Sequence, residues 1–203
     1  TSAESIDVAE DRKKFDALLE SFNIRRPKGS GVFTTEEALE TAHALGYPVL
    51  LRPSYVIGGQ NMTIAHSDKD VVRYMTRILS DSKENNVLVD KYMMGPELEV
   101  DVISDGTDVI IPGIMEHIER AGVHSGDSIA VYPPYNINDI MKQKIIDCST
   151  NLALAMKTKG LVNIQYLIYR NELFVIEVNP RASRTIPYIS KVTGVPMVDL
   201  ASR

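Results

Sequence analysis

Glu177 and Asn179 follow the apolar run Leu173-Phe174-Val175-Ile176, and Pro180-Arg181 and then Arg184 come directly after them. Side chains alternate along a strand, so Glu177 and Asn179 point to one face and set a carboxylate beside an amide oxygen. That pair suits a hard cation such as Mg²⁺. Pro180 cannot donate to a ladder, so regular pairing ends there. Arg181 and Arg184 then offer fixed positive charge to phosphate oxygens. Gln165 lies on the preceding strand, across the turn Arg170-Asn171-Glu172, where its oxygen can converge with those of Glu177 and Asn179. An all-oxygen set favours Mg²⁺ or Mn²⁺ over Zn²⁺. Metal ligands followed at once by arginines is the chemistry of phosphoryl transfer from a nucleotide.

Three other stretches carry weaker signals. Arg52-Pro53-Ser54-Tyr55-Val56-Ile57-Gly58-Gly59 is a strand running into a glycine-bearing loop, whose backbone N–H groups could cradle phosphate with Arg52 supplying charge. It lacks the Gly-Lys-Ser/Thr ending of a Walker A loop, and a Gly-Gly pair is by itself more often a hairpin turn. Glu116-His117-Ile118-Glu119 and Val123-His124-Ser125-Gly126-Asp127-Ser128 form the densest polar cluster. Without a thiolate or a His-Glu-x-x-His helix, zinc does not fit it, and without a Gly-x-Ser-x-Gly elbow a hydrolase triad does not either. A loop that binds a small anion or moves protons through His124 fits better. Asp90 closes one strand and Glu97 opens the next, where a nucleotide held between two lobes would lie. Glu97 could accept from ribose hydroxyls, although on composition alone a solvated acidic face explains Glu97 better.

The elements that must position these residues can be read from periodicity. Phe15, Leu18, Leu19 and Phe22 predict one helix over Asp7 to Phe22. Thr34 with Glu37 is a capping box for a helix to Leu45 that Gly46 ends. Strands are expected at Val32-Phe33, from Pro48 to Arg52, from Met62 to Ala65 and from Asn86 to Asp90, with a helix from Ser67 to about Leu79. From Glu97 to Ser104 acidic and apolar residues alternate, so one strand face is acidic; Asp105-Gly106 turns the chain toward Val109-Ile110-Ile111. A helix from Ile140 to Lys157 and a hairpin of Gly160 to Tyr169 with Leu173 to Val178 complete the list. Helices with short strands first, then a largely antiparallel sheet, read as α+β with two lobes: residues 1–89 as N-terminal helix and small lobe, and residues 90–203 as a large lobe with metal and acceptor sites.

At 203 residues, 44% hydrophobic and 24% charged, the chain has ordinary globular composition and enough length to bury a core. Its net charge of −5 gives no basic footprint for nucleic acid, so anionic substrates need local cationic pockets. The lone cysteine, Cys148, allows no internal disulfide and fits a reducing, cytoplasmic setting. No segment is apolar for long enough to span a bilayer, and no signal-peptide pattern is present. A start at Thr1 rather than Met reads as a piece of something longer.

Together these stretches resemble the ATP-grasp domains of carbamoyl phosphate synthetase large subunits. The resemblance covers essentially the whole chain. It is carried by Ala9-Glu10-Asp11-Arg12, the segment from Arg52 to Gly59, Met115 to Ser128, Asn163-Ile164-Gln165, and Ile176 to Arg184. The wording from Glu116 to Ser128 and the ending Pro180-Arg181-Ala182-Ser183-Arg184-Thr185 are closer to the second of the two related halves of that subunit, which phosphorylates carbamate. The resemblance implies an ATP-grasp fold, two lobes with nucleotide held between β-sheets. It implies ATP and Mg²⁺ or Mn²⁺ as cofactors, and carbamoyl phosphate as product, for pyrimidine or arginine biosynthesis. Arg12 and Arg52 would contact ATP phosphates with Gly58 and Gly59 above them, and Asp90 and Glu97 would lie along adenine and ribose. Gln165, Glu177 and Asn179 would hold the cations. Arg181 and Arg184 would bind phosphate or carbamate oxygens, with His124 at the acceptor site. The implied partners are the remaining domains of the large subunit and a glutaminase small subunit; no nucleic acid or membrane is among them. One departure is Gln60, where the family pattern has arginine after the glycine pair. The alternatives are a nucleotide-binding module that does not turn over as an isolated fragment, and another ATP-grasp carboxylate ligase.

Overall fold

The computed structural model describes residues 1–53, 61–81, 86–119, 121–123 and 127–203, with backbone only for residues 10, 12, 13, 80 and 81. The chain divides into two compact units. The smaller comprises Pro27–Met94 with Ala121–Ser128, and the larger comprises Thr1–Arg26, Gly95–Arg120 and Ile129–Arg203. The larger unit therefore includes the N-terminal segment, which the chain-order boundary near residue 90 assigns to the small lobe. The physical reason is apolar: Phe15 and Leu19 are buried in the same cluster as Leu98, Val100 and Ile164.

In the smaller unit, β1 (Gly29–Val32), β2 (Val49–Pro53), β3 (Thr63–Ala65) and β4 (Val87–Lys91) form an antiparallel sheet in the order β1-β4-β2-β3. Helices α3 (Thr35–Leu45) and α4 (Asp68–Asp81) bury Ala38, Ala42, Val71 and Met75 against Val49, Leu51, Val87 and Val89 of the sheet. The start of α3 is the capping box its sequence predicts. Thr34 accepts the Glu37 N–H at 3.2 Å, and the Glu37 carboxylate accepts the Thr34 N–H at 3.3 Å. Lys91 completes the other end, donating to the carbonyls of Gly46 (2.8 Å) and Tyr47 (3.3 Å), where helix C-termini favour cations. His43 is exposed and bonded to Asp68 at 2.8 Å.

The larger unit is built on a second antiparallel sheet of β5 (Glu97–Ser104), β6 (Val109–Ile110), β7 (Ile114–His117), β8 (Ala130–Val131), β9 (Gly160–Tyr169) and β10 (Glu172–Asn179). The order is β10-β9-β5-β7-β8, with β6 also pairing β5. The expected helix from Asp7 to Phe22 is two helices, α1 (Ala3–Glu10) and α2 (Arg12–Ser21). Asp11 breaks it: its backbone is extended and its carboxylate caps α2 through the Lys14 N–H at 2.9 Å. α5 (Asp139–Ala155) covers one face of the sheet, packing Met141, Ile145 and Leu152 on Leu98, Val100 and Val178. α6 (Ile186–Thr193) and α7 (Met197–Ser202) cover part of the opposite face, with Ile186, Ile189 and Met197 against Ile103 and Met115. The sequence pattern foretells neither of these helices, nor β7 and β8. No helix among the described residues is long and apolar enough to cross a membrane.

Candidate active site on the large sheet

The antiparallel register sets the site. Glu99 of β5 lies opposite Gln165 of β9, which lies opposite Glu177 of β10. One step along, Asp101, Asn163 and Asn179 form a parallel row. Residues directly opposite share a face, so these two rows stand together on the face that α6 and α7 partly cover. A β-bulge between Val175 and Glu177 is what turns Glu177 to this side. Val175 and Val178 are both buried against the α5 side, which strict alternation would not allow. Gln165, Glu177 and Asn179, the predicted cation ligands, are thus neighbours on one face, with Glu177 exposed and the two amides half-buried. The donor set is all oxygen, which fits a hard divalent ion. Among the described residues, no group of three or more His, Cys, Asp and Glu side chains is arranged to hold a metal; the row offers one carboxylate and two amides.

Beside this row the face is buried and polar. Glu99, Asp101, His117 and Asn163 are each less than 5% exposed. The Asn163 amide donates to Glu99 at 2.7 Å and to Asp101 at 2.9 Å, which uses both of its protons. His117 bonds Glu99 through Nε2 at 3.1 Å, and its Nδ1 lies 3.6 Å from Glu97. Burial lowers the affinity of His117 for its proton, but the carboxylates of Glu97 and Glu99 outweigh it and raise the imidazole to about 9. Burial alone would push Glu99 up; the hydrogen bonds from His117 and Asn163 leave it below its ordinary value. Asp101 is held above the ordinary carboxylate value by burial, against hydrogen bonds from Thr185 and Asn163. A solvated acidic face on β5 is therefore not what forms: the alternating acids are there, but Glu99 and Asp101 are enclosed and each has a polar partner.

The exit loop follows. Regular pairing stops at Asn179, before Pro180. The Arg181 N–H donates to the Asn179 carbonyl at 2.8 Å and its guanidinium to the Asn179 side chain at 3.3 Å. Arg181 and Arg184 are exposed, on the loop that directly follows Asn179. In the smaller unit, Arg52 and Asp90 are brought together, with the Arg52 Nε 3.3 Å from the Asp90 carboxylate. Asp90 is buried beneath β1, where a Cβ on Gly29 would stand 2.0 Å from its oxygen. Gly58, Gly59, Gln60 and His124 lie outside the described residues, as does the side chain of Arg12.

The residues that sequence reasoning missed are Asn163, Asp101 and Thr185. A signal for the first two existed: the β5 alternation places Asp101 with Glu97 and Glu99, and Asn163 has the parity of Gln165 on its strand. Thr185 gave none, because its partner is 84 positions away.

The sequence pattern of the family "Carbamoyl-phosphate synthase L chain, ATP binding domain" matches residues 11–203. The chain belongs to this family. Its relatives include the carbamoyl phosphate synthase large chain of Clostridium botulinum (strain Alaska E43 / Type E3), 58% identical over all 203 residues. That of Clostridium perfringens (strain SM101 / Type A) is 57% identical over the same length. The chain spans 19% of the length of either relative. Among solved structures it resembles a biotin carboxylase–β,γ-ATP complex from Campylobacter jejuni, with a TM-score of 0.83 and 21% identity over 99% of this chain and 47% of that one. It also resembles a carboxyaminoimidazole ribonucleotide synthase from Aspergillus clavatus complexed with ATP, with a TM-score of 0.77 and 17% identity over 91% of this chain and 48% of that one. The fold of this carbamoyl-phosphate synthase family member is the α+β ATP-grasp fold.

Proposed function

We propose that this chain binds ATP with Mg²⁺ and transfers the γ-phosphoryl group to carbamate, giving carbamoyl phosphate and ADP, as one domain of a longer large chain. The observation that carries the reading is the row of Gln165, Glu177 and Asn179 on one sheet face, directly followed by the Arg181–Arg184 loop. Family membership supports it. So does a structural neighbour solved with MgADP and bicarbonate, the biotin carboxylase domain of a 2-oxoglutarate carboxylase from Hydrogenobacter thermophilus.

On this reading Glu177, Gln165 and Asn179 would hold a divalent ion, which would supply charge neutralisation for phosphoryl transfer. Arg181 and Arg184 offer guanidinium donors to the oxygens of the acceptor and the transferred phosphoryl. Arg52 contacts the nucleotide phosphates; the Asp90 carboxylate within 3.3 Å orients its guanidinium. Asp90 and Glu97 serve the adenosine. His117, charged at neutral pH, holds the side chains of Glu97 and Glu99 in place. Arg12, Gly58, Gly59 and His124 complete the assignment from the family resemblance. The chemistry is positioning and charge neutralisation, with no covalent step on the protein. The remaining domains of the large chain, as the source of carbamate, and a glutaminase subunit, as the source of ammonia for making it, are the partners of this reading. A cytoplasmic enzyme serving pyrimidine or arginine synthesis accords with it.

Calorimetric titration with an ATP analogue and Mg²⁺, followed by assay of ATP formation from ADP and carbamoyl phosphate, tests the reading. Binding and reverse turnover are expected. Binding without turnover reduces the chain to a nucleotide-binding module. Glu177→Ala is expected to fold and to lose at least tenfold in Mg²⁺-dependent affinity for the nucleotide, because a ligating carboxylate on an exposed strand end supports little else. Unchanged affinity in that variant removes the metal assignment.

A further inference from the structure

We propose that Thr185 is a positioning residue: gripped by the buried Asp101, it fixes the loop that carries Arg181 and Arg184. Thr185 is the N-cap of α6, yet its hydroxyl makes no capping bond. A threonine at this position ordinarily accepts an N–H from the first turn, and Pro187 has removed one of those donors. The hydroxyl is turned instead to the sheet. It lies 2.6 Å from the Asp101 carboxylate and 3.2 Å from that of Glu99. A hydroxyl has one proton, and the short contact assigns it to Asp101. The Ser183 and Thr185 hydroxyls lie 2.7 Å apart, and Ser183 accepts the Thr185 N–H at 3.1 Å; the Ser183 hydroxyl also hydrogen-bonds the Asp101 carboxylate. Asp101 is 1% exposed and is held from the other side by the Asn163 amide at 2.9 Å.

The loop is thus fastened at both ends to one sheet. Its start is tied to β10 by the bonds from Arg181 to Asn179, and its end to β5 by Thr185 on Asp101, with β9 between. Arg181 is itself the first fastening, and the exposed Arg184 lies between the two. A loop held only at its start would leave Arg184 to sample many positions, and ordering it would then cost affinity at the moment of binding. The carboxylate is well chosen for the grip, since a hydrogen bond to a charged acceptor is shorter and stronger than one to a neutral acceptor.

This inference rests on the reading of Arg181 and Arg184 as an oxyanion site, so its test reads the loop and the ligand separately. Amide hydrogen exchange is followed in the 203-residue chain, and the affinity for carbamoyl phosphate is measured in the presence of ADP and Mg²⁺. In Thr185→Val, exchange over residues 181–184 is expected to rise about tenfold while β9 is unchanged, and carbamoyl phosphate affinity to fall about tenfold while ADP affinity holds. Thr185→Ser, which keeps the hydroxyl, is expected to restore both to within about twofold. If Thr185→Val raises exchange throughout the unit, Ser183→Ala takes its place, with about a threefold rise expected over the same loop. Unchanged loop exchange in the tested variant, or a serine variant no better than the valine, overturns the proposal. Exchange that responds as expected in a chain that binds no carbamoyl phosphate upholds the grip and removes the oxyanion reading instead.

Discussion

The two sheets of this molecule treat buried polarity in opposite ways. In the smaller unit the strands bury Val49, Leu51, Val87 and Val89 under two helices, and Asp90 is the buried polar residue among those described. In the larger unit one face is equally apolar beneath α5, but the same strands also bury Glu99, Asp101, Glu116, His117 and Asn163. Apolar burial gives the same free-energy return in either unit, roughly 25 cal/mol per Å². Enclosing acids costs free energy unless every one is partnered. A sheet that accepts that cost, and meets it with a matching histidine, amide and threonine, is specified by something other than stability. Glu116 sharpens the point. It faces the α5 side, and its carboxylate accepts the N–H groups of Tyr135 (2.9 Å) and Asn136 (3.0 Å). There the buried acid pins chain entering α5, while on the other face the acids are held by His117, Asn163 and Thr185.

The largest effect expected from this contrast is in the smaller unit, where apolar packing holds the sheet. Leu51 is fully buried in its cluster. Leu51→Ala should cost about 2–5 kcal/mol through lost transfer energy and the cavity left behind. Because each unit has its own apolar cluster, hydrogen exchange should accelerate in β1, β2 and β4 and stay slow in β9. A uniform acceleration across both sheets would mean that the two clusters melt as one, and the contrast between the sheets would lose its energetic meaning.

The second effect belongs to the larger unit and is electrostatic. His117 is raised from 6.5 to about 9 by its two carboxylates. A raised histidine contributes stability that is fully present below its unfolded value and is lost as pH rises through its folded value. Chemical unfolding at pH 6 and at pH 10 should therefore differ by up to about 3 kcal/mol, the free energy of 2.5 pH units at 1.36 kcal/mol each. The loss should fall between about pH 6.5 and 9 and vanish in His117→Gln. A wild-type profile flat over that window would show that the imidazole is neutral in the folded chain. The buried acids would then need another source of compensation.

These regions also differ in how much of them could be read in advance. The hairpin of β9 and β10, the β5 alternation and the α3 capping box are local patterns, and the structure reproduces each with at most small shifts at the ends. Gln165, Glu177 and Asn179 share a face as alternation requires, although the bulge that puts Glu177 there left no trace in the pattern. What escaped the sequence was non-local. Asp101 meets Thr185 across 84 positions, and no periodicity records a contact of that span. The split at Asp11 escaped for a different reason. The apolar spacing of Phe15, Leu18 and Leu19 lies wholly beyond Asp11 and carries no information about the chain before it, where the capping bond of Asp11 ends one helix and starts the next. Exposure of the β5 acids was misjudged because composition cannot tell a charge facing water from a charge facing a partner.

The smallest effect lies back in the smaller unit, at a place where polarity is used but not buried. Thr34 and Glu37 satisfy each other's backbone donors at the start of α3, at the solvent-facing end of the helix. Thr34→Ala should cost about 1 kcal/mol, the usual value of an N-cap side chain, and Thr34→Ser about nothing, since serine accepts the same N–H. The measurement is the denaturant midpoint of the smaller unit, followed by exchange at α3 amides. If the alanine variant is as stable as wild type, water has replaced the threonine oxygen without loss, as exposure permits. If it loses several kcal/mol, the cap is coupled to the packing of Ala38 and Ala42 beneath it. The exposed polar pair would then behave like the enclosed network of the larger unit, and burial alone would not explain why one sheet depends on its polar groups and the other does not.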